Sequence, residues 1–253
     1  MSLRTRTRLF LAAGMGLLAF FIYGLLGLPP VGQQISGYAT KLNSLTVPAR
    51  HITDTVTAVN FDFRGFDTMG EEYILFTSVM GVLLLFRTQR DEVEEAPRNH
   101  APGRQAPPSS DAVRVCALSL MAPTLLFGIY TVTHGQINPG GGFQGGVILA
   151  TVLLFVFLAG DYEIFRKMDA HRAVELAESA GAAGFVLVGL AAIILNKPFL
   201  ENVLPLAPAG TVLSGGTVPL ISLSVGIEVG AGILLLSTAF LEEALVLKSK
   251  KGG

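Results

Sequence analysis

Apolar runs long enough to cross a bilayer alternate along this chain with short polar breaks. The first, Leu9 to Leu28, is about 20 residues long and is followed by Pro29-Pro30. A secretory signal has a shorter apolar centre of roughly 7–15 residues, so this run reads as a transmembrane helix. The second run, Tyr73 to Phe86, holds 14 residues. That is about 21 Å at 1.5 Å per residue, against a hydrocarbon core of roughly 30 Å. The span must therefore take in part of the acidic turn ahead of it. The third run covers about Ala112 to Val132, with Pro123 expected to kink it. The fourth starts in a glycine stretch and ends at Gly160-Asp161. The fifth is about Leu176 to Leu195 and the sixth about Thr217 to Leu241. The pattern predicts an all-α integral membrane protein of six transmembrane helices, two plus four.

The breaks set organisation and orientation. Residues 88–111 are charged at first and then rich in Pro and Ser, with no apolar period, which predicts a flexible cytoplasmic linker. It separates a two-span block, residues 1–87, from a four-span block, residues 112–253. Placing the N-terminus inside puts 14 of the 18 Lys and Arg on the cytoplasmic side. Both termini are then cytoplasmic. In Val31 to Thr68, Pro48 could open a short surface helix with Ile52, Val56 and Val59 on one face and His51 and Asp54 in water.

Composition agrees. Hydrophobic residues make up 51% and charged residues 15% of the 253, with a mean hydropathy of +0.56; a soluble domain carries roughly 25% charged residues. The net charge of −1 argues against nucleic acid as a partner. The single cysteine, Cys116, forms no internal disulfide, and the four histidines match no zinc spacing. No motif for a metal or another cofactor is present, and the glycine stretch lacks the Lys-Ser/Thr of a phosphate loop.

Three places concentrate chemistry. Between the third and fourth runs lies Thr133-His134-Gly135-Gln136-Ile137-Asn138-Pro139-Gly140-Gly141-Gly142-Phe143-Gln144-Gly145-Gly146. Asn138-Pro139 is a helix-start signal. Gly141/Gly145 and Gly142/Gly146 have the small-xxx-small spacing that brings membrane helices into backbone contact. The stretch reads as a tightly packed hairpin, or as a hairpin that also presents His134 and Gln144 to water or an ion. The second place is Asp67-Thr68-Met69-Gly70-Glu71-Glu72. Thr68 and Glu71 fit a capping box, which starts the helix near Thr68. The depth argument instead gives Glu71 or Glu72 an ion-handling role, with Asp67 nearby. The third is Glu228 in Gly226-Ile227-Glu228-Val229-Gly230-Ala231-Gly232, near mid-membrane, where a carboxyl either locks helix packing or relays a proton or cation. Asp161, Glu175, Glu178, Glu242 and Glu243 sit at cytoplasmic ends and are expected to be solvated.

The hairpin motif His134-Gly135-x-x-Asn138-Pro139-Gly140-Gly141-Gly142-Phe143-x-Gly145-Gly146 resembles the signature of the B-type subunit of Mrp-type multisubunit cation/proton antiporters. Asn196-Lys197-Pro198-Phe199-Leu200 and the helix around Glu228 resemble the same subunit, so the resemblance covers about Asp111 to Leu247. Asp62-Phe63-Arg64-Gly65-Phe66-Asp67-Thr68-x-Gly70-Glu71 resembles the C-terminal end of the large A-type subunit, and a small subunit of membrane-bound hydrogenases. The arrangement looks like a two-span piece of the A-type subunit fused ahead of the B-type one. The resemblance implies an accessory, non-enzymatic subunit of a prokaryotic plasma-membrane complex that exchanges Na+ for H+. Its partners would be the A-, C- and D-type subunits and the small subunits. It implies Glu71 as the ion-path carboxylate of the first block, and His134, Pro139 and Phe143 as the functional hairpin of the second. The ion-translocating arm of a redox-driven complex and a purely structural scaffold are the competing readings.

Overall fold

The computed structural model describes residues 3–28, 37–91, 100–101, 104–105, 109–160 and 171–250. The expected stop at Pro29-Pro30, most of the linker, Asp161, and the side chains of Glu242 and Glu243 lie outside the described residues. Two compact units emerge, Met1–Lys41 and Leu42–Gly253. The first contains α1 (Leu3–Leu26), a continuous helix whose residues 4–26 are exposed all round.

The second unit begins within α2 (Gly37–Arg50) and continues through α3 (Thr55–Ala58), a π turn (Val59–Phe63) and α4 (Gly65–Asp91). A pair of two-residue antiparallel strands, His100–Ala101 and Arg104–Gln105, lies before α5 (Asp111–Thr133). Then come α6 (Gly142–Ala159), α7 (His171–Ile194) and α8 (Val218–Lys250). Among the described residues, six helices are long and apolar enough to cross a membrane: α1, α4, α5, α6, α7 and α8. Apart from the short strand pair, the described fold is helical, as the apolar periodicity predicts.

α8 is the central helix. Over half of its apolar window is buried, and α4, α5, α6 and α7 all pack against it. Glycine makes these approaches possible. A Cβ at Gly142 would stand 2.7 Å from the Val225 Cβ and 2.8 Å from the Gly226 amide nitrogen; one at Gly146 would stand 2.8 Å from the Gly226 carbonyl. Gly181 of α7 likewise abuts the backbone of Ser224 and Glu228. Side chains of ordinary size would force these helices apart. The apolar core gathers around the first half of α8, where Val218, Ile221, Val225 and Val229 meet Phe185, Leu200, Phe61 and Ile52.

Four local expectations are corrected. Pro48 sits in the last turn of α2, not at a helix start, and the chain then turns at His51, whose φ is +57°. Ile52 is fully buried on the following loop while Val56 is exposed, so no shared surface face forms. His51 Nδ1 donates to the Ala207 carbonyl at 2.8 Å, and Asp54 caps α3 by accepting from the Thr57 amide at 3.0 Å. Polar groups expected in water are thus used to fasten loops. The Thr68–Glu71 capping box does not form, because α4 already starts at Gly65. Asp67 is the acid of the first turn and accepts from Arg64 Nε at 2.6 Å. Finally, Asn138-Pro139 does not open α6. The helix begins at Gly142 with Gly141, at φ +128°, as its cap. The glycine run lets the chain turn sharply, which delays the helix by a turn.

Candidate functional site: buried carboxylates behind a glycine hairpin

The hairpin between α5 and α6 is held by its own polar groups. His134 caps α5, its amide donating to the Tyr130 carbonyl at 3.0 Å. Its half-buried ring stacks on Tyr130 with centroids 4.2 Å apart. Asn138 Nδ2 donates to the Tyr130 hydroxyl at 2.7 Å, and the Gly141 amide to the Thr131 carbonyl at 3.1 Å. Gln136 is fully buried, and its Nε2 donates to the carbonyls of Thr133 and Val212. The Gln136 backbone carbonyl accepts from the Thr53 amide at 3.1 Å. Phe143 and Gln144 are exposed, as are Asn138 and Pro139, whereas Gly141, Gly142, Gly145 and Gly146 are buried. Ser222 of α8 donates to the Val132 carbonyl at 2.8 Å, closing the hairpin onto the central helix.

A second polar centre lies in the α4–α7–α8 interface, and its groups are not satisfied in the same way. Glu72, Glu178 and Glu228 are 2%, 1% and 1% exposed. Among the described residues, both carboxyl oxygens of Glu228, Oε2 of Glu72 and Oε1 of Glu178 are buried without a hydrogen-bond partner. The three are neighbours in this interface, where Gly181, one turn from Glu178, abuts the Glu228 backbone. A Cβ at Gly232 would meet Glu178 Oε1 at 3.2 Å. The sequence reaches this arrangement by helical spacing. Thr68, Glu72 and Val79 lie on one face of α4, and Val79 meets Gly232 of α8. Glu178 precedes Gly181 by one turn, on the face of α7 that touches α8. Tyr73 adds a hydroxyl that donates to the Ala182 carbonyl at 3.4 Å.

Counted at 1.5 Å per residue from the helix ends on the hairpin side, Glu72 lies about 10 Å deep, Glu228 about 15 Å and Glu178 about 24 Å. The carboxyls therefore form a descending series across more than a third of a hydrocarbon core of roughly 30 Å.

Of the sequence-derived candidates, the structure brings Glu72 and Glu228 together and leaves Glu71, Asp67 and His134 apart from them. Glu71 is exposed, turned away from the interface that Glu72 enters. Asp67 is half-exposed and paired with Arg64. Glu178, expected to be a solvated helix end, is instead buried because α7 starts at His171, one to two turns earlier than its apolar run. The signal for it was available: a lone acid in the run Ala177-Glu178-Ser179-Ala180-Gly181 faces wherever the small residues face.

At the hairpin-side end of α4, Asp62 of the π turn, 4% exposed, pairs with Arg50 Nε at 2.6 Å. Burial pushes the Asp62 carboxyl above its ordinary range, and the Arg50 guanidinium offsets this only in part. Asn202, near the same carboxyl, fastens the turn ahead of α8, its Oδ1 accepting from the Thr217 amide at 3.0 Å. This pairing was not visible in the sequence.

Residues 112–235 match the family described as a domain related to the MnhB subunit of Na+/H+ antiporter. A protein of Methanocaldococcus jannaschii is 29% identical over 256 residues, covering 92% of this chain and 94% of its own. The B-type subunit of the Na+/H+ antiporter of Bacillus subtilis is 34% identical over 78 residues, which is 31% of this chain and 54% of that subunit. The chain thus spans about half the length of that curated antiporter relative. Among solved structures, a chain of the membrane-bound sulfane sulfur reductase, an archaeal respiratory membrane complex, superposes with a TM-score of 0.69 at 25% identity. The match covers 93% of this chain and 98% of that one. A chain of the Mrp complex from Dietzia sp. superposes with a TM-score of 0.71 at 20% identity, over 92% of this chain and 26% of that one, and shares the fold. The protein is a multi-pass membrane protein whose residues 112–235 are similar to the MnhB-related domain.

Proposed function

We propose that this chain, on the premise of its MnhB-related domain, is an ion-path subunit of a multisubunit monovalent cation/proton antiporter. One observation carries the reading: three carboxyls, Glu72, Glu228 and Glu178, buried at graded depth with oxygens that no group of the described chain satisfies. A bare carboxylate at membrane depth costs several kcal/mol, about 2.5–3.5 on translocon-based scales, so the site is stable when its groups hold a proton or a cation. Groups that must hold such a charge, and that are spaced in depth, are suited to passing it on. The glycine hairpin fixes α6 on α8 and so holds Glu228 in register. In this reading partner subunits supply the rest of the path.

The A-type part of this reading rests on the resemblance of the segment from Asp62 to Glu71. A probable K+/H+ antiporter A/B-type subunit of Rhizobium meliloti is 29% identical over 43% of this chain and 12% of its own length. Fusion of an A-type end to a B-type domain fits such a relative. The excess of Lys and Arg in the N-terminal, linker and C-terminal segments supports cytoplasmic termini. A reporter fused after Gly253 is expected inside, and its appearance outside would overturn the topology.

The test is Na+-dependent proton flux in inverted vesicles holding the whole complex, with assembly checked on a native gel. Glu72→Gln and Glu228→Gln are expected to abolish flux in an assembled complex. Full flux in both would leave the carboxyls a packing role only. A second reading, the ion-translocating arm of a redox-driven complex, has its own support in the end-to-end match to the respiratory chain. In that case proton flux in the same vesicles follows electron donor rather than Na+, and redox subunits co-purify.

A further inference from the structure

α4 has two sides. One carries Thr68, Glu72 and Val79 into the α8 interface. The other is an open stripe at helical spacing: Phe66, Gly70, Ile74 and Leu85, with Glu71 beside it and Gly81 within it. Phe66, Ile74 and Leu85 are 68%, 68% and 74% exposed. A Cβ at Gly70 or Gly81 would meet nothing within 4 Å, whereas Gly142, Gly146 and Gly181 are all filled by a neighbouring helix. Glu71 is exposed at the edge of this stripe. It stands about 9 Å along α4 from Gly65, at 1.5 Å per residue, inside the 65–86 span.

Apolar side chains alone suit lipid. A carboxylate among them does not, since intramembrane acids face protein or water and pair with an opposite charge. A lipid-facing helix has no need of open glycines, which in membranes mark close helix contacts. Inside the described chain the nearest cation to this helix start, Arg64, already pairs with Asp67.

We propose that the Phe66–Leu85 stripe of α4 is the docking face for a membrane-spanning helix of another subunit, one that places a cationic side chain against Glu71. Charge complementarity decides the occupant: a helix with only apolar residues would leave Glu71 buried and unpaired, which costs more than lipid exposure near the interface. A second copy of this chain presents the same acid and would oppose like charges. The proposal depends on α4 crossing the membrane and not on which ion the complex moves.

The test uses the assembled complex in phosphatidylcholine–phosphatidylglycerol vesicles, with the photoreactive benzoyl-phenylalanine at Ile74 and, in a separate sample, at Leu85. Irradiation is expected to join this chain to one other subunit. The helix linked at Ile74, one turn from Glu71, should carry a Lys, Arg or His within two turns of that adduct, and the adduct at Leu85 should fall on the same helix. Neutralising that cation should lower complex yield as much as Glu71→Gln does, and the double replacement should be no worse than either single one. Adducts to lipid, to a second copy of this chain, or to a helix without such a cation would overturn the proposal. So would additive losses in the double replacement. Because the readout is contact and yield, loss of flux with an intact adduct leaves this interface standing, and an absent adduct with normal flux removes it alone.

Discussion

The α5–α6 hairpin and the α4–α7–α8 interface both bury polar groups beside the same central helix, yet they treat them differently. In the hairpin, Ser222, Asn138 and the side-chain nitrogen of Gln136 each find a carbonyl or hydroxyl at hydrogen-bonding distance, and only the neutral Oε1 of Gln136 is buried without a partner among the described residues. In the interface, Glu228 finds none. A satisfied buried group stabilises the fold by about 1 kcal/mol net and asks for nothing more. An unsatisfied acid must be completed from outside the chain, by a proton, an ion or a partner. On the proposed function, the difference separates the part of the molecule that holds shape from the part suited to exchanging charge.

The comparison breaks most severely at the glycines. Gly142→Val places a branched side chain where a Cβ already stands 2.7 Å from Val225, so α6 and α8 must separate. Overpacking of this kind costs about 3 kcal/mol or more, and loss of assembled complex on a native gel is the expected outcome. Gly70→Ala, in open space within this chain, should leave its fold intact. Next come Glu72→Gln and Glu228→Gln, expected to remove flux while leaving the thermal midpoint of the purified complex equal or higher. If these variants instead unfold the protein, the two regions differ less than their hydrogen bonding says. Ser222→Ala is the smaller counterpart in the hairpin. It should lower stability by about 1 kcal/mol, measured by thermal unfolding, with flux retained.

The smallest effect concerns Asp62. Its carboxyl is raised above the ordinary value by burial, so the folded state binds the proton more tightly than the unfolded one. That contribution to stability is fully present below the ordinary carboxylate range, near pH 4, and is lost as pH rises through the raised native value. Asp62→Asn should flatten this part of the pH–stability curve of the solubilised complex. A wild-type curve that rises with pH there would show the Arg50 pair outweighing burial.

The spans were legible because membrane burial demands long apolar runs, and nothing else in the chain imitates them. The need for the second span to reach into its acidic turn was legible by length alone, and α4 indeed takes in both glutamates. Which glutamate turns inward was not, since Glu71 and Glu72 differ by one residue and about 100° of helix rotation. Only the contact with α8 chooses between them. Helix starts failed where the chain had a stronger local alternative. Gly141 at positive φ overrode the Asn138-Pro139 signal, and Gly65 after the π turn overrode Thr68. The Arg50–Asp62–Asn202 cluster joins residues far apart in sequence, which no local pattern announces.

The face that α4 turns toward α8 also sets a timetable for synthesis. Glu72 leaves the ribosome roughly 150 residues before Glu228, a delay of about 10–30 s at 5–20 residues per second. For that interval the second span sits in the bilayer without the α8 face that buries its inward acid in the finished fold. A translocon, a waiting subunit or a bound proton must shelter it until α8 arrives, so the carboxyl interface closes only after α8 has been made.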